Sequence, residues 1–149
     1  NGKFSERQKQ IYNAVLDMKN FATSLLVPGN NWYDYHKECG DFYTSKFLEL
    51  GLLDKADVQN EDKNWPAYKK YMMHGTSHHM GLDTHDYGIL SDKFVENMVF
   101  TVEPGIYIPE EKFGVRIEDD VVIQNNGPAF NLMKNIPIEI EEIEELMNS

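Results

Sequence analysis

The stretch that decides the fold and the site is His74–Asp86, which reads HGTSHHMGLDTHD. It holds four of the chain's five histidines, together with two glycines and two aspartates. Imidazole is a common metal ligand and a proton carrier near neutral pH. The composition predicts a loop or irregular strand that brings polar side chains to one point, and the alternative is a polar loop with incidental histidines.

Downstream of this stretch lies a short apolar strand that ends in a glutamate. Residues 98–102 (MVFTV) predict a strand, and Pro104-Gly105 interrupts it, so that Glu103 lies at a strand end or kink. A glutamate in this position alone is often only a solvated surface residue.

A third feature is the segment 115–123, VRIEDDVVI, which predicts another strand but carries three consecutive acids. Adjacent carboxylates repel, and side chains alternate faces along a strand, so Arg116 and Glu118 should point the same way. The guanidinium can hold carboxylates, and a cation beside Glu118 would remove most of the repulsion. The alternative is an edge strand whose charged face discourages aggregation.

Outward from these segments, helices precede strands, which favours an α+β fold over an alternating parallel one. One helix follows the Ser5/Gln8 capping box and ends before Pro28, and a second covers about 32–50. The remaining predictions are a surface loop over 57–64, a turn at 126–127 and a short helix after residue 137.

The composition limits the classes of function. The chain has 149 residues, which suits one domain or most of one, and its formal net charge of −11 argues against nucleic-acid binding. No apolar run approaches the roughly 18 residues needed to span a membrane. The single cysteine, Cys39, lies in an aromatic-rich helical stretch, which predicts a core residue and a reducing, cytoplasmic location.

The three features together predict metal-assisted hydrolysis. A histidine and two glutamates offer nitrogen and oxygen ligands without sulfur, which suit Mn²⁺ and also admit Zn²⁺, Co²⁺ or Fe²⁺. The remaining histidines can donate hydrogen bonds to a developing oxyanion. The site is not an H-E-x-x-H zinc helix, because Gly75 stands where that motif needs a glutamate.

At residues 74–86, 101–108 and 114–123 the chain resembles the pita-bread metallopeptidases, in the branch of Xaa-Pro aminopeptidase and proline dipeptidase. Three ordered motifs carry the resemblance, and it extends to the first helix and the segment at 136–137. It implies an antiparallel sheet with helices packed on one side. It also implies that residues 1–149 are the C-terminal portion of the catalytic domain, without the N-terminal domain and the first part of the catalytic domain.

The resemblance also implies roles for individual residues. Three match metal ligands, of which the second is also linked to proton transfer: His78, Glu103 and Glu118. His74 and His85 match histidines that surround the substrate, Arg116 matches an arginine that supports ligand orientation, and Tyr107 is placed in the substrate pocket. By contrast, we expect His79 to be a packing or surface residue.

The chain departs from the family pattern in one respect. Two aspartate ligands precede the first histidine motif in the family, and no matching pair on strands precedes His74 here. We therefore expect an incomplete two-metal site and an inactive isolated chain. The expected parent removes the first residue from peptides with proline second, and its homo-oligomerisation is left open. The alternatives are a proline dipeptidase and a non-catalytic module that binds a peptide or protein.

Overall fold

The first half of the chain is helical in the computed structural model, which describes residues 2–149. Its helices are α1 (Glu6–Ser24), α2 (Trp32–Glu49) and α3 (Lys55–Gln59), followed by a 3-10 turn at Ala67–Lys70. The predicted Ser5/Gln8 capping box is present, and both long helices lie where they were predicted. The predicted loop over 57–64 is partly wrong, because Asp54 caps α3 and starts a short helix inside polar sequence.

The second half forms five short antiparallel strands and a final helix. The strands are β1 (Val99–Val102), β2 (Gly105–Ile108), β3 (Phe113–Arg116), β4 (Asp119–Val122) and β5 (Phe130–Asn131), and α4 covers Ile140–Asn148. One sheet has the order β1-β4-β5, and β2 pairs with β3. The α+β prediction is confirmed, as is the helix after residue 137.

The single strand predicted over 115–123 is broken at residues 117–118. Pro104 lies on the opposing chain segment and has no backbone N–H to donate, so the ladder is interrupted there. Only a long contact remains, 3.4 Å from the Ile117 amide nitrogen to the Pro104 carbonyl.

The register is the same on both sides of this break. Val102 pairs with Asp119 and Gly105 pairs with Arg116, so Glu103 and Glu118 lie directly opposite each other in an interrupted two-stranded ribbon, β1-β2 against β3-β4. The histidine segment runs along the other side of β1. The Glu103 amide donates to the Thr76 carbonyl at 2.8 Å, and the Thr101 amide donates to the His78 carbonyl at 3.1 Å.

The core lies between the two long helices and the ribbon. The fully buried side chains include Ile11, Val15 and Met18 of α1, Tyr35 and Phe47 of α2, and Phe100, Val102, Ile106 and Val121 of the strands. Cys39 is also buried, as predicted. Among residues 2–149, no helix is long and apolar enough to cross a membrane.

Candidate metal centre and active site

Two glutamates face each other at the break in the ribbon, and an arginine joins them. Arg116 Nη1 lies 3.3 Å from Glu103 Oε2, and Nη2 lies 3.3 Å from Glu118 Oε2. Directly opposed like charges destabilise a strand pair, so a cation is needed here and the guanidinium supplies it. Arg116 and Glu118 therefore point the same way, as predicted.

The charged edge strand considered as an alternative is wrong for this segment. β4 lies between β1 and β5, so it is not an edge. Asp119, the second of the three acids, is only 4% exposed and points away from solvent. A carboxylate buried in a central strand is a structural or functional feature and does not protect an edge.

His78 approaches Glu103 closely. Its Nε2 lies 3.1 Å from Glu103 Oε1, and its Nδ1 lies 2.9 Å from the His79 carbonyl oxygen. A carbonyl only accepts, so Nδ1 carries the proton, and in neutral imidazole the Nε2 lone pair then faces the carboxylate. Two acceptors at this distance repel unless a proton or a metal ion lies between them. The donor chemistry therefore fits a divalent cation held by nitrogen and oxygen.

The three candidate ligands are connected by one direct contact and one contact through an arginine. His78 and Glu103 are in direct contact, whereas Glu118 is linked to Glu103 through the Arg116 guanidinium. In the described part of the chain, no three His, Cys, Asp or Glu side chains lie close enough together to hold a metal ion. The assignment of His78, Glu103 and Glu118 as ligands stays a prediction.

An open pocket of about 430 Å³ lies against these groups and is lined by His74, Gly75, Ser77, His78, His85, Glu103 and Arg116. The His85 ring is exposed and lies 4.3 Å from the His78 ring, centroid to centroid. Both histidines assigned to the substrate by resemblance thus line the same pocket as His78 and Glu103, whereas Glu118 lines a second pocket that shares Arg116 with the first.

Tyr107 contacts His74 at the edge of this pocket. The His74 Nδ1 lies 2.8 Å from the Gly75 carbonyl oxygen, so Nδ1–H donates and Nε2 accepts, 2.8 Å from the Tyr107 hydroxyl. Burial raises the pKa of Tyr107, which keeps its hydroxyl protonated as the donor. The His74 ring is therefore fixed in orientation by hydrogen bonds at both of its nitrogens.

Two residues of the site were not identified from the sequence. The Thr101 hydroxyl accepts from the His78 amide at 3.1 Å and lies 3.4 Å from Glu103 Oε1, so it bridges both groups. Burial and the charge of Asp119 raise the pKa of Asp120, which also interacts electrostatically with His78 and Glu103. Residues two positions apart share a face of a strand, so Thr101 could have been inferred from Glu103 and Asp120 from Glu118.

The histidine segment is anchored on its far side by α2. The Tyr35 hydroxyl lies 2.5 Å from Ser77 Oγ, and the Tyr43 hydroxyl lies 2.9 Å from Thr76 Oγ1, with all four side chains buried. Buried hydrogen bonds of this kind fix the path of an irregular segment that lacks a full ladder.

His79 points away from the site, as expected. The Trp32 indole nitrogen donates to His79 Nε2 at 3.3 Å, and the ring packs edge-on against Trp32 and Phe100. Neighbouring side chains on an extended segment face opposite ways, so His78 and His79 have different environments.

The chain is similar to known proteins over nearly its whole length. Residues 1–125 match the model of Metallopeptidase family M24. The chain is 41% identical over 160 residues to the Xaa-Pro aminopeptidase of Haemophilus influenzae, covering 99% of this chain and 36% of that protein. The Xaa-Pro aminopeptidase of Escherichia coli is 39% identical over 159 residues, with 99% and 35% covered.

A solved structure shares the fold. Zinc-substituted E. coli aminopeptidase P in complex with product superimposes with a TM-score of 0.84 at 36% identity, covering 99% of this chain and 36% of that one. The chain thus spans about a third of the length of the relatives that it matches.

Proposed function

Since the chain belongs to metallopeptidase family M24, we propose that the protein containing it is a metal-dependent Xaa-Pro aminopeptidase, which hydrolyses the peptide bond before proline at the N-terminus of peptides. The names of the relatives support this activity over that of a proline dipeptidase. One observation carries the proposal: Glu103 and Glu118 lie opposite each other at a break in the ribbon, with His78 Nε2 3.1 Å from Glu103.

We assign residues 1–149 to the C-terminal portion of the catalytic domain, because the three motifs occur here in the family's order. The N-terminal domain and the first part of the catalytic domain, with two aspartate ligands, then belong to sequence outside this chain. The isolated chain should accordingly show little or no peptidase activity with Mn²⁺.

We assign His78, Glu103 and Glu118 as the ligands that this chain contributes to two divalent cations. Mn²⁺ suits the carboxylate-rich donor set, and Zn²⁺, Co²⁺ and Fe²⁺ suit the imidazole. Such ions, when bound, lower the pKa of water and polarise a carbonyl.

Glu103 has a second role in proton transfer, and two histidines act on the bound peptide. Glu103, half-buried and hydrogen-bonded by Thr101, is placed to accept the proton of the attacking water and to move it toward the leaving nitrogen. His85 is exposed in the pocket, where its ring N–H can donate to the carbonyl oxygen as negative charge develops. His74 lines the same pocket, and its contact with the Tyr107 hydroxyl orients its ring toward the space that the peptide would occupy.

The test uses the full-length protein with an Xaa-Pro peptide and, as a control substrate, the matching Xaa-Ala peptide. His78→Ala and Glu118→Ala should each lower the rate by orders of magnitude and weaken Mn²⁺ binding, whereas His79→Gln should retain the activity. Normal turnover by either ligand variant in metal-limited buffer would show that the ligand assignment is wrong. Equal turnover of the Xaa-Ala peptide would refute the proposed specificity.

A further inference from the structure

Asp119, the residue that follows Glu118, forms a buried ion pair with a helix lysine. The Lys19 ammonium of α1 contacts Asp119 Oδ2, and the two residues are only 6% and 4% exposed. Asn131 Nδ2 of β5 donates to the same oxygen at 2.8 Å. Asp119 is thus held from one side by the first helix and from the other by the last strand.

The position of Asp119 determines where its neighbours point. Side chains alternate faces along a strand, so a carboxylate directed at α1 sends the next residues on either side, Glu118 and Asp120, to the opposite face. Glu103 shares that face, because it lies directly opposite Glu118. A one-residue slip of β4 would turn Glu118 toward α1 and bring Asp119 to the site.

Stability alone does not account for the pair. Removing two charges from water is costly, and apolar residues of similar volume often serve as well as a buried ion pair or better. At this place a carboxylate also adds charge to a site that already holds Glu103, Glu118 and Asp120. The ion pair differs from an apolar pair in its geometric specificity. Asp119 can reach both Lys19 and Asn131 in only one register of β4.

We propose that Lys19 and Asp119 are positioning residues, whose ion pair locks the register and facing of β4 so that Glu118 is directed at the metal centre. The inference rests on the proposed function, since it concerns the metal ligand named there. It assigns to the first helix a role in metal binding, although no side chain of α1 lines the pocket of His78 and Glu103.

The experiment measures Mn²⁺ affinity by calorimetry and the thermal midpoint of the metal-free, full-length protein. The double variant K19M/D119N removes both charges but keeps an acceptor for Asn131. We expect Mn²⁺ to bind about 10- to 100-fold more weakly, the usual effect of losing a group that orients a ligand, with no loss of thermal midpoint beyond that of a surface control. The control is Lys37→Met, which breaks the exposed ion pair with Asp41.

The outcomes separate this inference from the proposed function. If E118Q loses Mn²⁺ binding while K19M/D119N binds as tightly as the parent, the positioning role is refuted and the proposed function stands. If E118Q itself binds Mn²⁺ normally, the proposed function fails.

A second variant covers the case in which K19M/D119N does not fold. Asn131→Ala, at a half-buried position, removes the β5 donor to Asp119 and also the acceptor of the Met133 amide, while Lys19 and Asp119 stay in place. We expect about tenfold weaker Mn²⁺ binding, the lower end of the same range. Unchanged affinity in this variant would overturn the inference.

Discussion

Replacing Arg116 with methionine should destabilise the metal-free protein by about 1–2 kcal/mol. Each guanidinium–carboxylate contact is 3.3 Å long. At an effective dielectric constant of about 20, this separation gives a gross attraction of about 5 kcal/mol. Because the Arg116 side chain is 50% exposed, solvent screening reduces each contact to at most about 1 kcal/mol. The unrelieved repulsion between Glu103 and Glu118 adds to this loss.

Metal should reverse most of this effect. If Mn²⁺ binds between the glutamates, it supplies the positive charge that the guanidinium supplies in its absence. Saturating Mn²⁺ should therefore raise the free energy of unfolding more in Arg116→Met than in the parent protein. The measurement is urea unfolding of the full-length protein with and without MnCl₂.

The matched control is Arg7→Met, because Arg7 forms an ion pair of comparable exposure with Glu111. That variant breaks two hydrogen bonds to Glu111, of 2.9 and 2.5 Å, so it should lose a similar amount of stability, but Mn²⁺ should leave its loss unchanged. The reasoning is refuted if Arg116→Met loses no stability, or if its loss persists undiminished at saturating Mn²⁺.

Three further predictions concern α2 and its contacts. Tyr43→Phe should lower the free energy of unfolding by about 1–2 kcal/mol, because the buried Thr76 hydroxyl loses its partner; urea unfolding checks this, with the exposed Tyr33→Phe as control. Burial raises the pKa of Cys39 to about 12, so iodoacetamide at pH 8 should label it only after unfolding; equal rates in native and denatured protein would contradict this. Burial, assisted by the charge of Lys69, lowers the pKa of His36 in the folded protein. The unfolded state therefore protonates His36 more readily, and the free energy of unfolding should fall as the pH drops below about 6.5. His36→Gln should flatten that part of the stability–pH curve, and an unchanged slope would count against the prediction.

The local elements could be predicted from the sequence because their signals are local. The Ser5/Gln8 capping box fixes where α1 begins, and Asn31 caps α2 just before its predicted start. The strands β2 and β3 were harder to predict from the sequence. Pro104-Gly105 indicated only an interruption, whereas the chain resumes the same ladder immediately afterwards. Whether a proline ends a strand or only breaks it depends on a partner strand that local sequence does not identify.

The site could be predicted in its residue types but only partly in its geometry. Alternation along one strand correctly placed Arg116 and Glu118 on the same face. That Glu103 lies opposite Glu118 depends on the register between β1 and β4, which is set by the hairpin at Pro109–Lys112. The contact between His78 and Glu103 depends on the histidine segment lying beside β1, and Tyr35 and Tyr43 hold it there from a different element.

The three consecutive acids, residues 118–120, show why pattern alone misleads at this point. Read as one charged feature, they suggest a solvated edge, yet the middle carboxylate is buried and only its neighbours face the site. The cation that makes this burial possible is Lys19, which is 100 positions away in the sequence. A helix lysine with no neighbouring acid on its own buried face looks like a surface residue until β4 packs beside it. The contact with Lys19 that allows Asp119 to be buried also directs Glu118 to the opposite face of β4. Removing both charges of this ion pair should therefore weaken Mn²⁺ binding while leaving the thermal midpoint of the protein unchanged.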